Sequence, residues 1–342
     1  MNASCIAAAI ECFGDASQLQ LRELPLPRPK RGQILVQVEA ASVNPIDVRR
    51  RDGYGRRMLS LLGAARLPLV LGNDFAGRVC AVGPGVSGLR EGDAVFGAKP
   101  PSSQGSHASH VVVDARHALR QPRGMSAAQL SVLPYNFMTV WRALQGAGIS
   151  AATAAGSRVL VHGASGGLGL IALRLLRSMG AHATALSSER WHSACLRAGA
   201  TEVLDRHGTP LSALPAQFDA TLNFASWDDE AALLRLLTAD ALGHASTVHP
   251  LLTQLDRHGV AGGLASAWMQ RRRMAAHLPS SVRYDWTVFR ATGEALRQLA
   301  EHAPALNLPG AVALYPLQQA ELAHRHVEQR RPGRVVLQPQ FT

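Results

Sequence analysis

The chain has 342 residues, 47% of them apolar, which allows about two domains and a substantial core. No apolar run is long enough to span a bilayer. The formal net charge of +11 is carried almost entirely by arginine, since Lys30 and Lys99 are the only lysines. The arginine clusters at 49–51, 56–57 and 271–273 are short and lack interleaved aromatic residues, so they do not indicate nucleic-acid binding.

The start of the chain, MNASCIAAAIECFGDASQ, has no basic leader and carries two early acidic residues, Glu11 and Asp15. It therefore predicts no targeting segment and a cytoplasmic protein. The four cysteines form no C-x-x-C pair, which is typical of reduced thiols in such a compartment.

The first part of the chain, residues 1–128, has the pattern of short strands separated by glycine turns. Residues 33–40 alternate apolar and polar, and 77–88 lead a strand into a Pro/Gly turn. Further strands are predicted at 94–96 and 111–113, and together they favour a small barrel.

From about Met125 the pattern changes to alternating strands and helices, which predicts a doubly wound parallel sheet. The predicted helices are 126–133, 139–145, 189–197, 228–237, 294–302 and 317–329. The predicted strands are 159–161, 182–187, 202–204, 218–223, 243–248, 311–315 and 334–337.

A glycine-rich turn lies between the strand at 159–161 and an apolar helix. Its glycines, Gly163, Gly166, Gly167 and Gly169, have the spacing G-x-x-G-G-x-G. Glycine allows close backbone approach, and the first N–H groups of the helix point at an anion, so the segment predicts a dinucleotide-binding turn.

The same turn also reads G-x-S-x-G, which is the nucleophile elbow of α/β-hydrolases and would make Ser165 a catalytic serine. The barrel-like first part is not the alternating start that a hydrolase of that class requires. We therefore favour the phosphate-binding interpretation.

Five segments resemble the medium-chain dehydrogenase/reductase superfamily, its quinone oxidoreductase subfamily and the branch of reticulon-4-interacting proteins. They are residues 42–55, 67–77, 133–141, 249–263 and 282–293. The resemblance implies an α/β protein with a GroES-like β-barrel catalytic domain, residues 1–128 and 285–342, and a Rossmann domain, residues 129–284. It also suggests a homodimer, in which the apolar stretch 260–268 is interpreted as a pairing edge strand.

The resemblance places Asn44, Asn73 and Tyr135 where zinc-dependent relatives carry their catalytic ligands, with Asp74 beside them. Zinc prefers thiolate and imidazole ligands, and amides do not replace them. No metal is therefore expected.

The second strand of the Rossmann pattern ends in Ser187 and Ser188 rather than in the acid typical of NAD sites. Small hydroxyl residues leave room for a 2′-phosphate, and Arg190 and Arg206 follow nearby. Glu189 argues the other way, although it also suits the first turn of a helix. These residues favour NADPH over NADH, and simple capping by the serines remains an alternative.

The resemblance implies further contacts with the cofactor. Those at the pyrophosphate and ribose are Thr139, Ser165, Gly166, Gly167 and Leu168, and those at the nicotinamide end are Asn223, His249 and Phe289. Arg334 stands where relatives carry lysine.

Without zinc, a substrate that is already electron-poor, such as a quinone or an α,β-unsaturated carbonyl, is the expected hydride acceptor. The candidate catalytic donors are Asn44, Tyr54 and Tyr135, and Asp47 is expected to orient them or to relay a proton. The alternatives are structural: a turn at Asn44, a helix cap at Asp47 and packing for both tyrosines.

The sequence thus predicts a zinc-independent, NADPH-dependent quinone or enone reductase with a small-molecule substrate. Two alternatives stay open, a 2-enoyl thioester reductase on the same fold and an NADPH-binding sensor or scaffold with little turnover.

Overall fold

The computed structural model describes residues 4–303, 306 and 312–339. Its strands are β1 Ser4–Ile10, β2 Gln20–Pro25, β3 Gln33–Val43, β4 Leu69–Val70, β5 Asp74–Val82, β6 Ala94–Ala98, β7 His110–Asp114, β8 Ala118–Arg120, β9 Arg158–His162, β10 His182–Ser187, β11 Glu202–Asp205, β12 Ala220–Asn223, β13 Gly243–Ser246, β14 Arg283–Trp286, β15 Val312–Pro316 and β16 Arg334–Gln338. Its α-helices are α1 Pro45–Arg51, α2 Arg56–Leu61, α3 Ala127–Ser131, α4 Pro134–Gly146, α5 Gly167–Ser178, α6 His192–Ala198, α7 Glu230–Arg235, α8 Leu251–Ala275, α9 Gly293–His302 and α10 Ala320–Glu328.

Six parallel strands form one sheet in the order β11-β10-β9-β12-β13-β14. This is the doubly wound order in which the first strand, β9, lies in the middle of the sheet. The buried residues of β9, Val159, Leu160 and Val161, explain its central position, because a strand covered on both faces must be apolar throughout. The carboxyl end of β9, where the glycine turn begins, therefore lies at the point where the strand order reverses.

The larger sheet joins the beginning and the end of the chain. Its order is β15-β16-β3-β5-β6-β8, and β7 also pairs with β3. β16 runs antiparallel to β3 and pairs Val335 with Val43. This pairing is what a discontinuous first domain requires, and the domain limits themselves stay a prediction.

The predicted fold class, a GroES-like barrel with a Rossmann sheet, is confirmed. The predicted strand at 182–187 coincides with β10, and the predicted helix at 139–145 begins earlier in the structure, at Pro134. The first residue of the predicted strand at 311–315 lies outside the described residues, and β15 follows it.

The interpretation of residues 260–268 as an edge strand was wrong, because they belong to α8. This helix kinks at Gly259, whose φ is 74°, and its second half folds back on the first. A Cβ at Gly263 would lie 2.5 Å from the Cα of Leu255, and Ser266 donates to Gln254 at 3.0 Å. Close helix packing at Gly263, which a search for alternating apolar residues does not detect, explains the error. The homodimer stays a prediction.

Two fully buried histidines are in contact in the barrel core, and one of them, His324, belongs to α10. The rings of His107 and His324 are 5.5 Å apart in an edge-to-face arrangement. Nε2 of His107 is 3.0 Å from the carbonyl oxygen of Ser42, whereas neither ring nitrogen of His324 has a hydrogen-bond partner within the described part of the chain. Burial, followed by the neighbouring His107 and Arg51, lowers the pKa of His324 well below its usual value.

This depressed pKa predicts that the protein loses stability in mild acid. The unfolded state takes up a proton as the pH falls through about 6.5, while His324 stays neutral in the fold. The free energy of unfolding should then fall by up to about 1.4 kcal/mol per pH unit for this proton. In denaturant titrations on either side of that pH, His324→Leu should lose less stability than the wild type.

The control is exposed His258, whose replacement by Gln should leave the loss in acid as it is in the wild type. An unchanged pH dependence in His324→Leu would show that the loss originates elsewhere.

Candidate active site

Two glycines of the turn, Gly163 and Gly169, stand where a side chain would be strained or would clash. Gly163 has a φ of 80°, and a Cβ at Gly169 would lie 2.4 Å from the carbonyl oxygen of Gly163. The N-terminal residue of α5 is preceded by Gly166, and no side chain caps the helix. The first N–H groups of α5 are therefore available to an anion, which fits the pyrophosphate of a dinucleotide.

The last strand brings a positive charge to the start of α5. Arg334, on β16, points Nη2 at the carbonyl oxygen of Gly167, 3.4 Å away. Burial, and then the nearby Arg174, lowers the pKa of Arg334 to about 10, so the guanidinium remains charged at neutral pH. Its place next to Gly167 suits a phosphate contact.

An open cleft of about 490 Å³ follows the carboxyl ends of β10 and β11. It is lined by Ser188, Glu189, Arg190, Asp205, Arg206 and His207. The predicted contacts Ser188, Arg190 and Arg206 are thus brought together. Ser187 is not among the lining residues, because it is buried and its hydroxyl accepts from the Cys195 thiol at 3.6 Å.

Asn223 is held from below by a buried carboxylate. Its Nδ2 donates to Glu230 Oε2 at 2.8 Å, and its Oδ1 accepts from the backbone N–H groups of Ala225 and Ser226. Glu230 also accepts from the hydroxyl of Tyr284 at 2.9 Å. The amide therefore shapes the turn after β12, which packs against Gly163.

The other two residues predicted at the nicotinamide end lie in different surroundings. His249 is buried, its Nε2 is 3.1 Å from the carbonyl oxygen of Thr287, and its ring stacks on Trp286. Phe289 contacts the ring of Tyr135 with 4.4 Å between centroids. Of the two, Phe289 is therefore the one placed beside a candidate catalytic residue.

Asp74 connects the predicted catalytic residues. Its fully buried carboxylate accepts from Ser42 Oγ at 2.6 Å, Asn44 Nδ2 at 2.8 Å and the backbone N–H of Tyr135 at 2.6 Å. Burial raises the pKa of Asp74 to about 7, and these three donors act in the opposite direction. The carboxylate fixes the Asn44 amide and the first turn of α4 with respect to each other.

Asp47 is engaged with the backbone on both oxygens. Oδ2 accepts from the N–H of Asn44 at 2.8 Å, and Oδ1 accepts from the N–H of Gly72 at 3.2 Å. This arrangement supports the alternative that Asp47 caps α1. Asn44 is the N-cap residue of α1, and Asp47, the third residue of the helix, fixes its backbone N–H. A catalytic orienting role for Asp47 stays a prediction.

The two tyrosines lie in the same region. Burial, followed by the charges of Asp47 and Asp74, raises the pKa of Tyr135, so its hydroxyl stays protonated at neutral pH. Tyr54 is half-buried under the guanidinium of Arg49, which lies 3.4 Å from the ring centroid. Thr139 uses its hydroxyl to donate to the carbonyl oxygen of Tyr135 at 2.7 Å.

The alternative of a serine nucleophile gains no support from the geometry. Ser165 has no hydrogen bond to a histidine within the residues that the structure describes. The nearest candidate base in the sequence, His162, pairs instead with Asp229 at 2.8 Å. A triad needs the serine and the base within hydrogen-bond reach.

Two of the three positions that correspond to zinc ligands carry amides, and the nitrogens of both amides donate hydrogen bonds within the protein. Asn44 Nδ2 donates to Ser42 and Asp74, and Asn73 Nδ2 donates to the carbonyl oxygen of Lys99 at 2.9 Å. Within the described ranges, no group of three or more His, Cys, Asp or Glu residues has a metal-binding arrangement.

Several residues of the site were not predicted. Asn136 donates to the carbonyl oxygen of Val132 at 3.0 Å and to Asn44 Oδ1 at 3.3 Å, and Glu230 holds Asn223. Asp205 and His207 line the cleft. The one sequence signal for Asn136 is its place next to Tyr135, within the family-like segment 133–141. The pairing of Glu230 with Asn223 has no local sequence pattern that could have predicted it.

Comparison with known proteins identifies the family. A model of the alcohol dehydrogenase GroES-like domain matches residues 30–123. NAD(P)H oxidoreductase RTN4IP1 of Bos taurus, named as mitochondrial, is 32% identical over 283 residues, covering 79% of this chain and 72% of the relative. The chain belongs to the medium-chain dehydrogenase/reductase superfamily. Within it, this reductase falls in the quinone oxidoreductase and RTN4IP1 branch, as the sequence predicted.

Two further comparisons concern a solved structure and a much larger protein. A quinone oxidoreductase structure from Coxiella burnetii has a TM-score of 0.80 at 23% identity and covers 99% of this chain and 100% of that one. A mycocerosic acid synthase-like polyketide synthase of Mycobacterium tuberculosis is 41% identical over 179 residues, or 52% of this chain and 8% of the synthase. The first shows the fold, and the second is a local likeness to a much larger protein.

The predicted cytoplasmic location of this medium-chain reductase was wrong. The relatives from cattle, mouse, human and zebrafish are all named as mitochondrial. The early acidic residues and reduced cysteines on which the prediction rested do not distinguish the cytosol from other reducing compartments. Searched over its described part, the structure contains no helix that is long and apolar enough to cross a membrane.

The packing of the glycine turn yields a test on the nucleotide-free protein. Gly169→Ala should lower the free energy of unfolding by about 1–3 kcal/mol, because the added methyl meets the Gly163 carbonyl and the Ala164 backbone within 2.5 Å. Gly166→Ala is the matched control, since its nearest neighbour would be 3.3 Å away. Equal stability of the two variants in urea titrations would contradict the packing described here.

Proposed function

We propose that the protein is a zinc-independent, NADPH-dependent reductase of a quinone or an α,β-unsaturated carbonyl compound. The observation that carries the proposal is the cluster in which Asp74 holds Asn44 and the first turn of α4, beside the dinucleotide turn. Relatives named NAD(P)H oxidoreductase support the reaction class and the nicotinamide cofactor.

The chemistry of the donor set supports zinc independence. The Asn44 amide oxygen, the atom that could ligate a cation, accepts from Asn136 Nδ2 at 3.3 Å, and the amide nitrogen donates to Asp74 and Ser42. Tyr135 keeps its phenolic proton because burial raises its pKa. Neither group resembles the thiolate and imidazole ligands that zinc prefers.

These residues would hold the cofactor and orient the substrate. The first N–H groups of α5 and the Arg334 guanidinium suit the pyrophosphate, and Phe289 packs on the ring of Tyr135. When bound, the dinucleotide supplies a hydride. The protonated Tyr135 hydroxyl is a suitable donor to the substrate oxygen that gains negative charge, and Asp74 keeps the start of α4 in place for it.

The choice of NADPH rests on the cleft after β10 and β11. Arg190 and Arg206 line it together with the small side chain of Ser188. Glu189 and Asp205 also line it, so the two guanidiniums are needed to make the cleft attractive to a 2′-phosphate.

A second candidate function is reduction of a 2-enoyl thioester on the same fold. The 41% identity to a polyketide synthase segment over 179 residues favours this candidate. Both candidate reactions transfer hydride to a conjugated carbonyl compound. The two substrates differ in the group attached to the carbonyl, which in the second candidate makes the compound a thioester.

The reaction class can be tested by following NADPH oxidation with a panel of quinones, enones and 2-enoyl thioesters. We expect turnover with at least one of them, and we expect Tyr135→Phe to reduce kcat by about tenfold to a hundredfold. Ser165→Ala should retain turnover, which a serine hydrolase would not. Tight NADPH binding without oxidation by any compound would favour a sensor or scaffold instead.

The cofactor preference gives a separate prediction. Arg190→Gln and Arg206→Gln should each raise the KM for NADPH by about tenfold and leave the KM for NADH nearly unchanged, because each removes one charge-assisted contact. Exposed Arg197→Gln, on α6, is the control for a general loss of positive charge. Equal changes for both cofactors would contradict recognition of a 2′-phosphate.

A further inference from the structure

A cavity of about 140 Å³ lies between α4 and the segment that leads into α9. We call it the arginine cavity. Its lining residues are Met138, Trp141, Arg142, Gln145, Arg290, Thr292, Glu294 and Ala295. Neither the dinucleotide contacts nor the proposed catalytic residues belong to it.

Two guanidiniums face this cavity without carboxylate partners. In the described ranges, neither Arg142 nor Arg290 has an ion pair within 4.0 Å, whereas Arg22, Arg120 and Arg325, for example, do. Arg142 is half-buried in the wall, and Arg290 is exposed at the rim. Glu294, also at the rim, is the one acidic residue of the lining, so two positive charges face one negative charge.

Two buried donors in the wall lack acceptors. Nε of Arg142 and Nε1 of Trp141 are inaccessible to solvent and have no hydrogen-bond partner within the described residues. Buried donors are nearly always paired in folded proteins, and an unpaired one costs about 1–3 kcal/mol. An acceptor-rich ligand entering the cavity would offset part of that cost after a small side-chain adjustment.

The arginine cavity lies on the same face of α4 as the candidate catalytic residue Tyr135. Tyr135, Met138 and Arg142 are three and four residues apart, so they lie on one face of the helix. Seven residues of helix place Arg142 about 10 Å beyond Tyr135. On the opposite side, Phe289 contacts Tyr135, and Arg290 is the next residue.

From this arrangement we infer that the arginine cavity binds an anionic group, a carboxylate or a phosphate, at the far end of the substrate. The inference rests on the proposed function and extends it. The substrate is then an electron-poor carbonyl compound whose tail ends in a negative charge, rather than a neutral quinone. Paired guanidiniums recognise planar or tetrahedral oxyanions through several donors at once.

The first experiment compares an enone that carries a carboxylate on an alkyl spacer with its methyl ester. In the wild type the carboxylate should have the lower KM. In the double variant Arg142→Gln/Arg290→Gln, the KM of the carboxylate should rise by about tenfold to a hundredfold, while the ester and NADPH keep their values. Exposed Arg177→Gln is the control for net charge.

The acidic residue at the rim gives a change of opposite sign. Glu294→Gln should lower the KM of the carboxylate and leave the ester unaffected, because it removes the one negative charge of the lining. The inference is overturned if the acid and the ester respond equally to either set of substitutions.

A binding measurement keeps this inference separate from the proposed function. Octanoate should bind NADPH-loaded wild-type protein in calorimetry, and the double variant should bind it about tenfold or more weakly. If no enone is reduced but the double variant binds octanoate more weakly than the wild type, the anion site stands and the reaction class falls. If octanoate does not bind the wild type, or binds the double variant equally well, the anion site is overturned.

Discussion

The site depends on one buried carboxylate that serves three donors from separate elements. Asp74, on β5, accepts from side chains at the end of β3 and before α1, and from the backbone of the first turn of α4. An unpaired buried charge is expensive, so the surrounding donors must keep their positions for the fold to tolerate it. Asp74 thereby fixes the position of α4, the helix that leads into the parallel sheet, relative to the barrel.

Sequence reasoning succeeded where a local pattern has a local cause. The glycine turn was found because strand, turn and helix follow one another within a few residues, and Gly169 indeed packs on Gly163. It did not reveal the role of Asp74, whose partners lie 30, 32 and 61 residues away. It also misread α8, because Gly259 and Gly263 there serve helix packing rather than a strand.

The preference for arginine over lysine has a physical counterpart in the interior. Burial lowers the pKa of Lys99 to about 8, but that of Arg334 only to about 10. A lysine near the dinucleotide turn would be close to losing its charge, whereas arginine keeps it when desolvated. At Arg334, arginine therefore keeps the positive charge that burial would weaken in a lysine.

The pairing of β16 with β3 has a consequence for how the protein is made. Arg334, which approaches the start of α5, is carried by the same strand that completes the larger sheet. During synthesis the glycine turn leaves the ribosome long before that strand does, because it lies earlier in the chain. Domains fold progressively from the N-terminus as they emerge. The positive charge beside the start of α5 is thus in place only when translation is nearly finished, and the proposed set of phosphate contacts is incomplete in a nascent chain.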